Sequence, residues 1–231
     1  VNIITEPADS SRIQVRLMGG SFQSYKTSVL GSFAFANAKN QVSFTTSGSD
    51  GYMANTDFRT YSFYYRGALD IGNDQLNVQA GHKNKAYGAQ SYYTPEYPRQ
   101  YEQVRSSLFS IGMELGDRIK VHPAVYWRRH RDRFELFREG RDWYTRENGF
   151  FVMGEQDTAK YTEGVYAPWN YYPGHNYHMT DIYGAKAGSS FSSSLGTTAL
   201  GFDFRSEHIW SNVLGQAMED TLQAPGEQYG Y

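Results

Sequence analysis

The sequence predicts an all-β chain and, within that class, an antiparallel transmembrane β-barrel. Three observations carry the prediction. Apolar and polar residues alternate with a period of two in segment after segment. The connections between those segments are short at one end and, with one exception, long at the other. The two faces that alternation defines also differ sharply in chemistry.

Taken in order, residues 12–17 place Ile13, Val15 and Leu17 opposite Arg12, Gln14 and Arg16. Residues 27–35 put Val29, Phe33 and Phe35 on one face and Ser28, Ser32 and Ala34 on the other. A shorter segment follows at 41–46. Residues 61–69 set Tyr61, Phe63, Tyr65 and Leu69 against Ser62, Tyr64, Arg66 and Ala68, and residues 75–81 set Leu76, Val78 and Ala80 against Gln75, Asn77 and Gln79. Further segments at 105–115, 118–129, 178–188 and 198–210 bring the expected count to about nine. Residues 213–222 have only a weak helical period and read as loop.

The links at 36–40, 70–74, 116–117 and 189–196 are short, whereas those at 47–57, 83–103 and 130–176 are long; 19–24 is the one short link on the long side. A sandwich has no reason to gather its long loops at one end, but outer-membrane barrels do, with short periplasmic turns and long extracellular loops. The polar face carries Arg12, Arg16, Arg66, Gln75, Asn77, Gln79, Lys120 and Asp203, as a wet lumen would. Aromatic residues near strand ends, such as Phe33, Phe35, Tyr61, Phe63 and Tyr65, match an interfacial girdle.

Composition is consistent with this reading. Only 39% of the 231 residues are hydrophobic, and mean hydropathy is −0.65. No run reaches the roughly 18 apolar residues of a spanning helix, but a spanning strand needs only about 10 with every second one apolar. Aromatic residues reach 16%, and the net charge of −2 makes no electrostatic case for nucleic acid. Cysteine is absent, which excludes thiol chemistry and disulfide scaffolds. Val1 opens inside an apolar strand, VNIIT, so the chain is expected to be part of a longer protein.

Several segments resemble the TonB-dependent outer-membrane receptors. Val1-Asn2-Ile3-Ile4-Thr5-Glu6-Pro7 resembles the strand that closes their plug domain, followed by a polar linker and a first barrel strand at 12–19. Gly20-Ser21-Phe22-Gln23-Ser24-Tyr25 resembles their first surface turn. Ser49-Asp50-Gly51-Tyr52 with Asn55-Thr56-Asp57-Phe58 resembles the loop between the third and fourth strands. Tyr92-Tyr93-Thr94-Pro95-Glu96-Tyr97-Pro98 and Ser211-Asn212-Val213-Leu214-Gly215 are similar to segments of such receptors as well.

The resemblance implies residues 1–8 as the end of a plug and 9–231 as the N-terminal portion of a barrel of about 22 strands. It further implies an outer-membrane location, no cofactor and a TonB-type energy transducer as partner. The resemblance also implies lipopolysaccharide as a partner and leaves room for a surface lipoprotein. The cargo is a scarce small-molecule nutrient too large for a porin, either a cobalamin-like corrinoid or a ferric siderophore, the vitamin B12 receptors being nearer in loop order. The rival reading is an all-β surface carbohydrate-binding or adhesin module that uses the same aromatic residues as sugar platforms.

No catalytic constellation emerges. The six histidines show no metal-ligand spacing, and Ser190–Ser194 lacks a nucleophile-elbow pattern. The chain is therefore not expected to be an enzyme or to hold a metal. Two features point to recognition. Aromatic side chains of the long loops, Tyr92, Tyr93, Tyr97, Trp143, Trp169, Tyr171 and Tyr172, offer rigid contact area to a ligand, with packing among themselves as the alternative. Arg128, Arg129, Arg131 and Arg133 form a basic cluster expected at the outer rim, able to meet lipid phosphates or a ligand carboxylate unless nearby acids balance it.

Overall fold

The computed structural model describes residues 10–147, 150–153, 174–213 and 216–217. The long strands are β1 (Arg12–Gly20), β2 (Ser24–Phe35), β3 (Ala38–Ser49), β4 (Phe58–Ile71), β5 (Asp74–Gly88), β6 (Tyr101–Glu114) and β7 (Ile119–Glu135). A small hairpin follows, β8 (Thr145–Glu147) and β9 (Phe150–Val152), then β10 (Asn176–Ser193), β11 (Gly196–Val213) and the two-residue β12 (Gln216–Ala217). One sheet runs in the order β1-β2-β3-β4-β5-β6-β7-β10-β11-β12, with β8 and β9 paired separately. Every pairing between neighbouring strands is antiparallel.

All nine expected segments are strands, and most run several residues further than alternation indicates. Among the described residues there is no helix. The meander puts the tight turns after β2, β4, β6 and β10 at one end. The β2–β3, β4–β5 and β10–β11 turns each have two residues, and the second of these has Gly72 at φ 64, a backbone that a side chain would strain. At the other end lie the 50–57, 89–100 and 136–175 connections, so the predicted asymmetry of loops is a property of the fold.

Register separates the two faces. One row reads Val15, Val29, Phe44, Phe63, His82, Ser107, Arg129, Asp181 and His208 across the nine long strands. Parity with this row defines an apolar face, and the other face carries the polar set predicted from sequence. The apolar face is uncovered: Phe109 and Val125 in mid-sheet are 44% and 52% exposed, and Leu17 and Leu200 at its margins 74% and 73%. No second sheet packs on it among the described residues. The buried apolar cluster lies instead in the loops, where Phe137, Tyr144 and Phe151 pack with Tyr97, Leu136 and Met153.

The apolar band does not follow the register rows. On β1 it is centred on Val15, whose row ends at His208 on β11. On β11 the band is Leu200, Phe202 and Phe204, centred six residues earlier on Phe202. At about 3.3 Å per residue and about 4.8 Å between strands, the band shifts roughly 20 Å along the strands over roughly 38 Å of sheet. The strands are therefore inclined to the perpendicular of the band by roughly 30°.

Candidate functional site

The long connections converge on Asn55 and Arg138. Asn55 adopts a left-handed φ of 58 and is 4% exposed. Its Nδ2 donates to the Gln100 carbonyl at 2.6 Å and the Pro98 carbonyl at 3.2 Å, so the 50–57 loop is pinned to the 89–100 loop. Arg138, from the loop after β7, donates Nη1 to Asn55 Oδ1 at 3.0 Å and forks onto both Asp57 oxygens at 2.5 and 2.9 Å. Its guanidinium also lies 4.3 Å from the Trp143 ring centre and 4.9 Å from that of Tyr101. Burial by itself would raise the Asp57 carboxyl. The Arg138 hydrogen bond and charge outweigh burial and hold it below its usual range. One arginine thus joins three loops.

The predicted aromatic residues divide into two roles. Tyr97 meets Phe137 edge-on at 5.7 Å inside the buried loop cluster, and Trp143 is stacked beneath Arg138; both order the loops. Tyr92 and Tyr93 are 73% and 61% exposed. Their rings meet edge-on at 4.9 Å, and Tyr93 stands 5.0 Å from Phe134. Phe134, Glu102 and Tyr87 share one row of the polar face. Both Tyr87 and Tyr93 donate their hydroxyls to the Glu102 carboxylate, and that bond, then burial, pushes the Tyr93 phenol well above its usual range. Tyr92 and Tyr93 therefore stand at the outer margin of the polar face. Trp169, Tyr171 and Tyr172 lie outside the described residues, as do the expected plug strand at 1–8 and its boundary.

The basic cluster is not one patch. All four arginines belong to β7, and the pleat alternates them. Arg129, Arg131 and Arg133 share the apolar face beyond its band, where Arg129 grips Asp181 through Nε and Nη2 at 2.7 and 2.6 Å and Arg133 is ion-paired with Glu135. Arg128 stands alone of the four on the polar face. Sequence adjacency hid this division, and it hid the Glu102 site as well, because Tyr87, Tyr93 and Glu102 come from two strands and a loop.

Other polar groups are similarly engaged. Asp50 pairs with Arg59 at 2.5 Å, and His175 Nε2 lies 3.1 Å from Glu139. Burial would raise the Glu139 carboxyl, but the His175 hydrogen bond and charge, with Arg146, bring it below its usual range. At the opposite end of the polar face, Asp70, Asp74, Glu114, Asp117, Lys120 and His122 line an open cavity of about 420 Å³. Compared with models of known protein families and with curated proteins, the chain matches none.

Proposed function

We propose that this chain forms part of the wall of an outer-membrane β-barrel and serves a TonB-dependent receptor that captures a scarce, large nutrient. The carrying observation is the oblique apolar band. Leaving large apolar side chains in water forgoes about 1.5–3 kcal/mol each, so a face of this size needs a cover. A partner sheet would follow the strands. A lipid slab is indifferent to them and cuts inclined strands obliquely, as strand tilts of about 35–45° in barrels require. Strands such as β10 and β11, each 18 residues long, exceed the roughly 9–11 residues that cross a bilayer. In this reading their outer ends stand clear of it, with β10 entered from the long connection after β7.

In this reading the polar face lines the lumen, and Tyr92 and Tyr93 present exposed rings above it to a ligand. A corrinoid and a ferric siderophore both fit such an aromatic margin, and uptake is driven by a periplasmic energy transducer. The adhesin reading lacks a second sheet to cover the apolar face among the described residues. Fractionation of the full-length protein tests the proposal. Recovery with the outer membrane, released only by detergent, is the expected result, and a protein soluble without detergent ends the proposal. Titration with cyanocobalamin and with ferric siderophores then separates the two cargoes.

A further inference from the structure

A second row on the polar face has an unusual content. Read across eight strands by register, it is Arg16, Ser28, Thr45, Ser62, Lys83, Ser106, His130 and Thr180. From β1 to β10 every member is a hydroxyl, a cation or an imidazole with no carboxylate among them, and Ile209 on β11 ends the run. Ser28 and Thr45 are hydrogen-bonded at 2.8 Å, and Ser106 meets His130 Nδ1 at 2.8 Å. The row on one side adds Lys26 and Lys85, and the row on the other adds Arg128. Arg16, Lys26, Lys83, Lys85 and Arg128 are all exposed.

Two acids stand on the flanking rows, Asp132 beside Lys85's row position and Glu207 on that of Arg128. Glu207 is bound by Arg205 at 2.8 Å. Five exposed cations against these two acids make this strip positive in a chain whose net charge is −2. Because the strands are inclined to the apolar band, the row is a ramp. It runs from His130, beyond the outer edge of the band, down to Arg16 at the depth of Val15.

We propose that this ramp is an anion-binding track, and that the solute taken up carries carboxylate or phosphate groups. The inference rests on the reading of the polar face as a lumen wall. Lys83 and Lys85 share β5, while Arg16 and Lys26 sit on neighbouring strands up to about 19 Å away. Within each pair like charges repel and are stabilised by a bound anion, whose hydrogen bonds neighbouring hydroxyls complete. The track begins beneath Tyr92 and Tyr93, so a ligand held on the rings by its apolar part can lower its anionic part onto the wall.

The test is titration of the detergent-purified full-length protein with inorganic pyrophosphate, with sucrose as an uncharged control, at low and high salt. Pyrophosphate binds, sucrose does not, and salt weakens binding. The double variant Lys83→Ser with Arg16→Ser weakens pyrophosphate about tenfold, Lys83→Arg retains it, and Lys120→Ser, at the far end of the polar face, leaves it unchanged. Absence of pyrophosphate binding overturns the track, as does binding that the double variant leaves intact. If the same preparation is membrane-derived and binds a corrinoid or siderophore, the receptor reading survives that failure. If the protein is soluble without detergent, both fall.

Discussion

Arg138 holds the long connections together through its bonds to Asn55 and Asp57 and its contact with Trp143. Replacing it with Met removes the fork to Asp57, the bond to Asn55 and the contact with Trp143. A half-buried carboxylate is left without its cation, at a cost of about 1–3 kcal/mol to loop docking. Hydrogen exchange or limited proteolysis in the 50–57 and 89–100 loops should report the opening, while the sheet stays intact. Acid should act through the same pair. The Asp57 carboxyl is held below its ordinary value of 3.8, so the docking stability it contributes is present above that pH. It is lost as pH falls through the lowered value. Protection of these loops should therefore hold at neutral and mildly acid pH and fail only below about pH 4.

The tyrosines separate at this scale too. Tyr92→Ala should weaken ligand capture by roughly 5–30-fold without changing stability, since the ring is exposed and contributes contact area. Tyr97→Ala should instead loosen the Phe137 cluster, visible as faster proteolysis of the 89–100 loop.

At the scale of elements, docking of loops onto strand ends sets tight steric limits. Gly88 closes β5 by donating its amide to the Asp57 carbonyl at 2.9 Å. A Cβ there would fall 2.5 Å from the Asn55 carbonyl oxygen and 2.6 Å from its carbon, both backbone atoms that no rotamer change can move. Gly88→Ala should displace the 50–57 loop and cost about 1–3 kcal/mol, measured as a lowered midpoint of loop unfolding. The same outer ends are where strand prediction falls short. Residues 75–81 alternate cleanly, but β5 continues to Gly88 through His82 and Asn84, which occupy the apolar-face positions. β7 likewise continues past Arg129 through Arg131 and Arg133. The backbone ladder persists beyond the apolar band, while the contrast between faces, which is the signal that reveals a strand, disappears with it.

Among the described residues the main sheet presents an uncovered apolar face, which the proposed reading assigns to lipid. That makes a charge scan decisive. Phe109→Lys and Val125→Arg, in the middle of the band, should each cost about 2–4 kcal/mol of stability in lipid vesicles. Ser110→Lys, one residue away but on the polar face, should cost little. Equal costs on the two faces, measured by denaturant titration of vesicle-folded protein, would contradict membrane insertion.

The sequence by itself determined the strands, their two faces and the grouping of the long loops at one end. Those properties are local: alternation needs only the two-residue period of a strand, and loop length needs only counting. Register was beyond it, because pairing is decided by contacts between segments far apart in the chain. Register aligned Arg16 with Lys83 across the five strands between Arg12 and Gly88, and loop packing brought Tyr93 to Glu102. Register also inclined the strands to their apolar band, the geometry on which the proposed membrane reading rests, because inter-strand offsets accumulate only through pairing.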